Sequence, residues 1–122
     1  MAYEWTREYC LLKKGTVSDF KEEWQATRYM LDGKMYAMQG GDKYGKPILT
    51  IKLEPAHGEY LRGAYKDIIP GYYMNKQHWN SLYLEGDVPD ETVRQMLDEA
   101  YGLVLQGLSR KAREALLSDA RN

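Results

Sequence analysis

Residues 26–39 read ATRYMLDGKMYAMQ, and this stretch decides the fold class. Asp32 and Gly33 lie between two runs rich in Tyr, Met and Thr, and an Asp-Gly pair in this setting is typical of a two-residue type I′ turn. Strands that are joined by so short a turn pair in the antiparallel direction. The stretch therefore predicts a hairpin with strands at 26–31 and 34–39.

Further strands are predicted on both sides of this hairpin. Upstream, a shorter strand covers 18–22, with Phe20 as its apolar anchor. Downstream, a glycine-containing loop at 39–46 leads to a strand at 47–53, and another strand is expected at 81–85. The alternation within 47–53 predicts an apolar face of Leu49, Ile51 and Leu53 and a wetter face of Ile48, Thr50 and Lys52.

Helical patterns flank the predicted strands. The first helix is expected at 2–14, before Gly15, with an apolar face formed by Trp5, Tyr9 and Leu12. A second is expected at 55–65, with Pro55 at its first position. A third begins near Pro89, and its apolar positions recur at helical spacing at Val93, Met96, Leu97, Ala100, Tyr101, Val104, Leu105 and Leu108.

Consecutive strands with short connections, flanked by helices, are typical of an α+β fold. We expect a single antiparallel sheet with helices packed on one face, within one domain that covers 1–108. Residues 109–122 are expected to form a short C-terminal helical extension or tail, with Ser109 as a helix cap.

The composition of the 122 residues limits the classes of function. A single cysteine, Cys10, excludes a disulfide scaffold and a cysteine-based zinc site, and two histidines make a metal site unexpected. Cys10 lies on the first predicted helix, where we expect a buried, inert thiol. No long apolar run is present, so we expect a soluble cytoplasmic protein. We also expect that it holds no metal and no cofactor.

Charge is distributed unevenly although the formal net charge is only −1. The window 43–79 has six Lys and Arg against three acids and also holds His57 and His78, whereas 85–99 has six acids and only Arg94. Any electrostatic role must therefore be local. Acidic side chains near the start of a helix also interact favourably with the helix dipole, which explains part of the acidic window.

Sequence motifs for enzyme chemistry are missing. The glycines at 40, 41 and 45 lie between strands, so they form neither a Walker motif nor a Gly-x-Gly-x-x-Gly loop before a helix. No Gly-x-Ser-x-Gly stretch marks a nucleophile. We therefore expect a protein that is not an enzyme.

Residues 70–80 read PGYYMNKQHWN and form the first candidate for a binding loop. In one interpretation the aromatic residues Tyr72, Tyr73 and Trp79 anchor the loop on the core. In the other, Lys76 and His78 contact an anionic ligand while Asn75 orients it. We expect an ordered loop with Trp79 largely buried and Lys76 exposed, whereas an exposed Trp79 on a mobile loop would favour the binding interpretation.

At this segment the sequence resembles the MmcQ/YjbR family of small bacterial proteins. The resemblance covers roughly 2–108. Its matching pieces are DGKMYA at 32–37, the strand at 48–53 followed by Glu54 and Pro55, the stretch 70–80, and GDVPDE at 86–91 with Tyr101 further on.

The resemblance implies a frataxin-like (YjbR-like) fold and a DNA-binding role through a double-wing motif. Here the wings would be the 31–34 turn and the 40–46 loop. Residues 21–24 depart from the usual family pattern, and the acids Glu22 and Glu23 would oppose phosphate binding if they lay near the first wing. The candidate DNA-binding residues are Lys34, Lys43, Tyr44, Lys46, Asn75, Lys76 and His78.

A small-molecule or protein interaction module is the alternative, with the aromatic loop 70–80 forming a pocket rim against the final helix. One contiguous basic face that includes both wing tips and Lys76 would favour DNA as the partner, whereas scattered basic residues would favour the alternative. We expect a monomer or a weak dimer that does not bind membranes.

Overall fold

A computed structural model describes residues 3–71 and 75–118. The described residues form one six-stranded sheet in the order β1-β2-β3-β4-β6-β5, with every neighbouring pair antiparallel. The strands are β1 (Thr16–Lys21), β2 (Ala26–Leu31), β3 (Lys34–Gly41), β4 (Pro47–Lys52), β5 (Ile68–Pro70) and β6 (Trp79–Tyr83). The helices are α1 (Thr6–Leu11), α2 (Pro55–Ala64), α3 (Asp90–Gly107) and α4 (Arg110–Ser118). The predicted α+β fold is confirmed.

The hairpin of β2 and β3 follows the turn chemistry of its sequence. Asp32 has φ of 50° and Gly33 has φ of 77°, which are the two positive values that a type I′ turn needs. The ladder shifts between Tyr29 and Met30, so Tyr36 is an extra residue in β3. As a result both Tyr36 and Ala37 are fully buried in the core.

The core lies between one face of the sheet and α3. Leu49, Ile51 and Leu82 pack in one cluster with the apolar stripe of α3, and the ring of Tyr36 stacks on Tyr101 with centroids 5.8 Å apart. Leu105 is only partly buried at the margin of this cluster. Cys10 is also buried there, and burial raises the pKa of its thiol to about 11, as expected of an inert cysteine.

Two apolar anchors were placed wrongly at the sequence level. The first helix ends at Leu11 rather than near Lys14, and the face that it buries carries Thr6 and Cys10. Leu12 still has helical backbone angles but lies two residues beyond Cys10, so it points away from that face and is 77% exposed. Phe20 is 57% exposed because β1 is an edge strand, whereas α3 packs on β2, β3 and β4. The periodicity of a strand does not show whether it lies at the edge of its sheet.

The sheet face opposite α3 is called the open face here, because no α-helix of the described chain packs on it. Side chains alternate along each strand, so the register directs a second set to this side: Ala26, Arg28, Met38, Ile48, Thr50, Lys52, Trp79 and Ser81. The expectation of a wetter face at Ile48 and Thr50 was wrong, since both are buried. Large cross-strand neighbours such as Met38 and Tyr83 shield them.

The segment after α2 also differs from expectation. The strand expected at 81–85 begins at Trp79 and ends at Tyr83, and the short strand β5 pairs with it. Trp79 is only partly buried, because its register position opposite Lys52 places it on the open face.

Among the described residues, no helix is both long and apolar enough to span a membrane.

Candidate nucleic-acid interface

The loop between β3 and β4 is organised around Asp42. Its Oδ1 accepts hydrogen bonds from the backbone N–H groups of Tyr44 and Lys46, each at 2.9 Å. Its Oδ2 accepts from the Tyr83 hydroxyl at 3.3 Å. Gly45, with φ of 83°, completes the turn and donates its N–H to the Asp42 carbonyl at 2.9 Å. The loop is therefore a fixed turn.

These contacts also set the ionisation of Asp42. Burial by itself would raise the pKa of the carboxyl group, but the N–H donors of Lys46 and Tyr44 and the Tyr83 hydroxyl lower that pKa below its ordinary value. The charged carboxylate is consequently the form that holds the loop at neutral pH.

The tip of this loop carries three exposed side chains: Lys43, Tyr44 and Lys46. Tyr44 is 79% exposed, and the Lys43 ammonium lies 5.2 Å from the centroid of its ring. The Lys46 ammonium lies 5.3 Å from the ring centroid of Tyr83, which belongs to β6. Cations near aromatic rings at a projecting turn can contact phosphate while an aromatic ring contacts a sugar or base.

Beside the loop, a cleft of about 770 Å³ opens on the open face. We call it the open-face cleft. Its size is within the range of roughly 300–1,000 Å³ that is usual for ligand sites. Its floor is apolar and buried, and its walls come from the turn after β1, the β3–β4 loop and Asn75. The lining residues are Glu23, Trp24, Gln25, Ala26, Met38, Gly40, Gly41, Asp42, Gly45, Ile48 and Asn75.

Trp24 is the aromatic wall of the open-face cleft and was not among the site residues predicted from the sequence. It lies in a single 3-10 turn (Glu22–Trp24) and is 49% exposed. The Lys21 ammonium and the Arg28 guanidinium lie 5.4 and 5.8 Å from its ring. Arg28 in turn pairs with Asp19 through two hydrogen bonds of 2.8 and 2.6 Å. A tryptophan in a polar, charged segment was the signal that could have indicated this site.

The 70–80 segment contributes to the same region in part. Asn75 lines the open-face cleft, and its Oδ1 accepts from the Gln77 N–H at 2.8 Å. The following Lys76 is exposed, as predicted, and its ammonium donates to the Gly71 carbonyl at 3.1 Å. His78 is partly buried and does not line the cleft. Tyr72 and Tyr73, expected as anchors, lie outside the described residues.

The two predicted wing tips lie at opposite ends of the sheet. Lys34 begins β3 and the 42–46 loop follows its last residue, so the eight residues of β3 separate them by about 24 Å. Of the seven candidate residues, Asn75 lines the open-face cleft, and Lys76 follows it in the chain. Lys43, Tyr44 and Lys46 do not line the cleft but lie on the loop whose Asp42 and Gly45 do. Lys34 is exposed but remote from them.

The acids of the turn after β1 do not lie near the first wing. Lys21 pairs with Ala26 at the start of β2, which places Glu22 and Glu23 beside the end of β3 and the second wing. Glu23 lines the open-face cleft together with Asp42 and Gly45. Glu22 and Glu23 would therefore oppose phosphate binding at the second wing and not at the first.

The open face and the segments that border its cleft carry a small excess of basic side chains, six against four acidic ones. Basic side chains on the open face or on the segments bordering its cleft are Lys21, Arg28, Lys43, Lys46, Lys52 and Lys76. Acidic ones there are Asp19, Glu22, Glu23 and Asp42; Asp19 is paired with Arg28, and Asp42 is bonded within its own loop. The acidic block at 85–99 lies on α3 and the segment before it, across the sheet.

Comparisons with known proteins support a common fold and family. The chain is 28% identical over 110 residues to a protein of Escherichia coli (strain K12) named as uncharacterized protein YjbR, covering 90% of this chain and 92% of that one. A crystal structure of a Deinococcus radiodurans protein matches with a TM-score of 0.83 and 28% identity, over 94% of this chain and 87% of that one.

A Pseudomonas syringae crystal structure matches with a TM-score of 0.74 over 84% of this chain and 98% of that one; at 21% identity it supports the fold alone. The family model described as YjbR matches residues 11–103. On this match the chain belongs to the YjbR family.

Proposed function

We propose that this protein is a non-catalytic DNA-binding module, and that the DNA lies on the open face. The small excess of basic side chains on the open face and the segments that border its cleft carries this proposal. A protein with a net charge of −1 can attract a polyanion only through a local basic surface, and the helix side carries the acidic block.

The contacts are expected to come from the second wing and from Lys76. Lys43 and Lys46 lie on a loop that is fixed by Asp42, and Lys76 follows Asn75 at the border of the same cleft. Lys34 has no part in this surface, because it lies at the other end of β3. Three lysines give about three phosphate contacts, so log affinity should fall against log salt with a slope of roughly −2 to −3.

A small-molecule or protein interaction module is the second candidate, and the lining of the open-face cleft favours it. The floor is apolar, and the charged side chains among the described lining residues are the carboxylates of Glu23 and Asp42. The open-face cleft is not the pocket rim expected against the final helix, since the cleft and α3 lie on opposite faces of the sheet. Tyr72 and Tyr73 of that rim lie outside the described residues.

A salt series tests the proposal. Binding of fluorescently labelled DNA is followed by anisotropy at several salt concentrations for the wild type and for the double variant Lys43→Ala, Lys46→Ala. The matched control is Lys34→Ala, Lys111→Ala, which removes the same charge from two exposed positions away from the open face.

We expect the slope of log affinity against log salt to fall in magnitude by about 1.5 in Lys43→Ala, Lys46→Ala and to keep its wild-type value in the control. No binding at low salt would reject the proposal. An equal loss of slope in both double variants would reject it as well, because binding would then depend on total charge.

A further inference from the structure

We infer that the open-face cleft receives one unstacked base, so that the protein binds single-stranded DNA in preference to duplex. This inference rests on the proposed function and deepens it. In a duplex the bases are stacked and paired, whereas in a single strand a base can turn out and insert between protein side chains.

Trp24 supplies the surface on which a base can stack. Its indole is 49% exposed and forms one wall of the open-face cleft. Aromatic side chains that face a groove bind bases of any sequence, because every base has a π face. The nearby cations of Lys21 and Arg28 hold the indole from positions 5.4 and 5.8 Å from its ring.

The floor of the cleft suits a flat apolar ring. Ala26, Met38 and Ile48 are 2%, 6% and 2% exposed, so they offer a fixed apolar surface. Gly40 keeps the strand backbone close to Ala26, since a Cβ there would lie only 3.2 Å from the Ala26 Cβ. Side-chain amides of Gln25 and Asn75 at the walls can donate to and accept from base edges.

Charge orients the nucleotide within this site. Glu23 and Asp42 line the cleft and repel phosphate from its interior, whereas Lys43 and Lys46 lie on the loop at its border. The ring of the base is thus expected inside the open-face cleft, and the phosphates outside it. A free small anion would be attracted only weakly to the cleft. The lining therefore suits a base of a DNA strand better than a free phosphate.

The experiment compares three fluorescently labelled DNAs of equal length at one low salt concentration: a single strand, the same strand in duplex, and a single strand of abasic sugars. Each is titrated with the wild type, Trp24→Ala, Trp24→Phe and the control Tyr60→Ala. Tyr60 is an aromatic residue of α2, 69% exposed and outside the open-face cleft. Circular dichroism confirms that each variant is folded.

We expect the single strand to bind at least about tenfold more tightly than duplex or abasic DNA. Trp24→Ala should weaken single-strand binding by about 5- to 150-fold, the effect of losing one base stack, while the salt slope stays unchanged. Trp24→Phe should recover most of the affinity, and Tyr60→Ala should match the wild type.

The outcomes separate this inference from the function on which it rests. Equal affinity for single strand and duplex, or for normal and abasic strands, would overturn the base site and leave the DNA-binding proposal standing. An unchanged affinity in Trp24→Ala would do the same. No binding of any of the three DNAs would overturn both.

Discussion

Asp42 is the residue on which the shape of the candidate interface depends most. One carboxylate satisfies two backbone N–H groups of the β3–β4 loop and the Tyr83 hydroxyl of β6. It joins the loop that carries Lys43 and Lys46 to the sheet and also lines the open-face cleft. Loss of this side chain would release both features together.

Replacement of Asp42 should destabilise the protein in a pH-dependent way. Because its pKa in the folded state is lowered, its stabilising effect is complete above the ordinary aspartate pKa near 3.9 and is lost as the pH falls through the lower folded value. Asp42→Ala should therefore lower the midpoint of urea unfolding at pH 7, because two backbone N–H groups lose their acceptor, and the difference from the wild type should shrink towards pH 2.

Urea unfolding of the wild type and of Asp42→Ala across that pH range measures the effect. Glu59→Gln, at an exposed position on α2, is the control and should unfold like the wild type at each pH. If Asp42→Ala were as stable as the wild type at pH 7, the loop would not depend on this carboxylate.

At the scale of elements, the carboxylate of Glu99 on α3 contacts the start of α2 twice. Glu99 accepts from the backbone N–H of Glu54, just before α2, at 2.9 Å, and its other oxygen lies 2.6 Å from His57 Nδ1. Tyr65 at the other end of α2 packs on the core. The start of α2 is thus held by α3, and its end by the core.

We predict that Glu99→Ala weakens the start of α2 without unfolding the sheet. Two hydrogen bonds of about 0.5–1.5 kcal/mol each are lost, so stability should fall by roughly 1–3 kcal/mol. Urea unfolding gives the total, and amide exchange at 56–60 should accelerate more than exchange in β4. Glu91→Ala, whose side chain is 71% exposed, is the control; similar effects in both variants would contradict the connection.

Elements whose formation depends on local chemistry could be predicted from the sequence. The β2–β3 hairpin follows from Asp32 and Gly33, and α3 follows from an unbroken helical period, so both were confirmed. The opposite positions of Lys34 and Lys43 were also implied, because successive connections of an antiparallel meander lie at opposite ends of the strand they share. The resemblance to a double-wing motif obscured that consequence.

Features that depend on tertiary placement could not be predicted. Phe20 lies on an edge strand, and alternation alone does not distinguish an edge from a centre. Trp24 reaches the open-face cleft only because Gln25 adopts a left-handed conformation, φ 49°, and returns the chain into β2. The cleft itself joins residues from 23 to 75, so no local window contains it.

At the scale of the whole molecule, the two sides of the sheet differ modestly in charge. The helix side carries the acids of 85–99, and the open face carries the lysines around its cleft. With a total charge near zero, the proposed attraction to DNA would be weak at long range and would act from the open face. Binding is therefore expected to be salt-sensitive and directional.

Mapping of backbone amide shifts by NMR during titration with single-stranded DNA at low salt tests the central claim most directly. We predict the largest shifts at Gly40, Gly41, Gly45 and Asn75 and at the Trp24 indole N–H, with the amides of α3 unchanged. Shifts concentrated on α3 or at the Asp32–Gly33 turn, or the absence of shifts, would contradict binding on the open face.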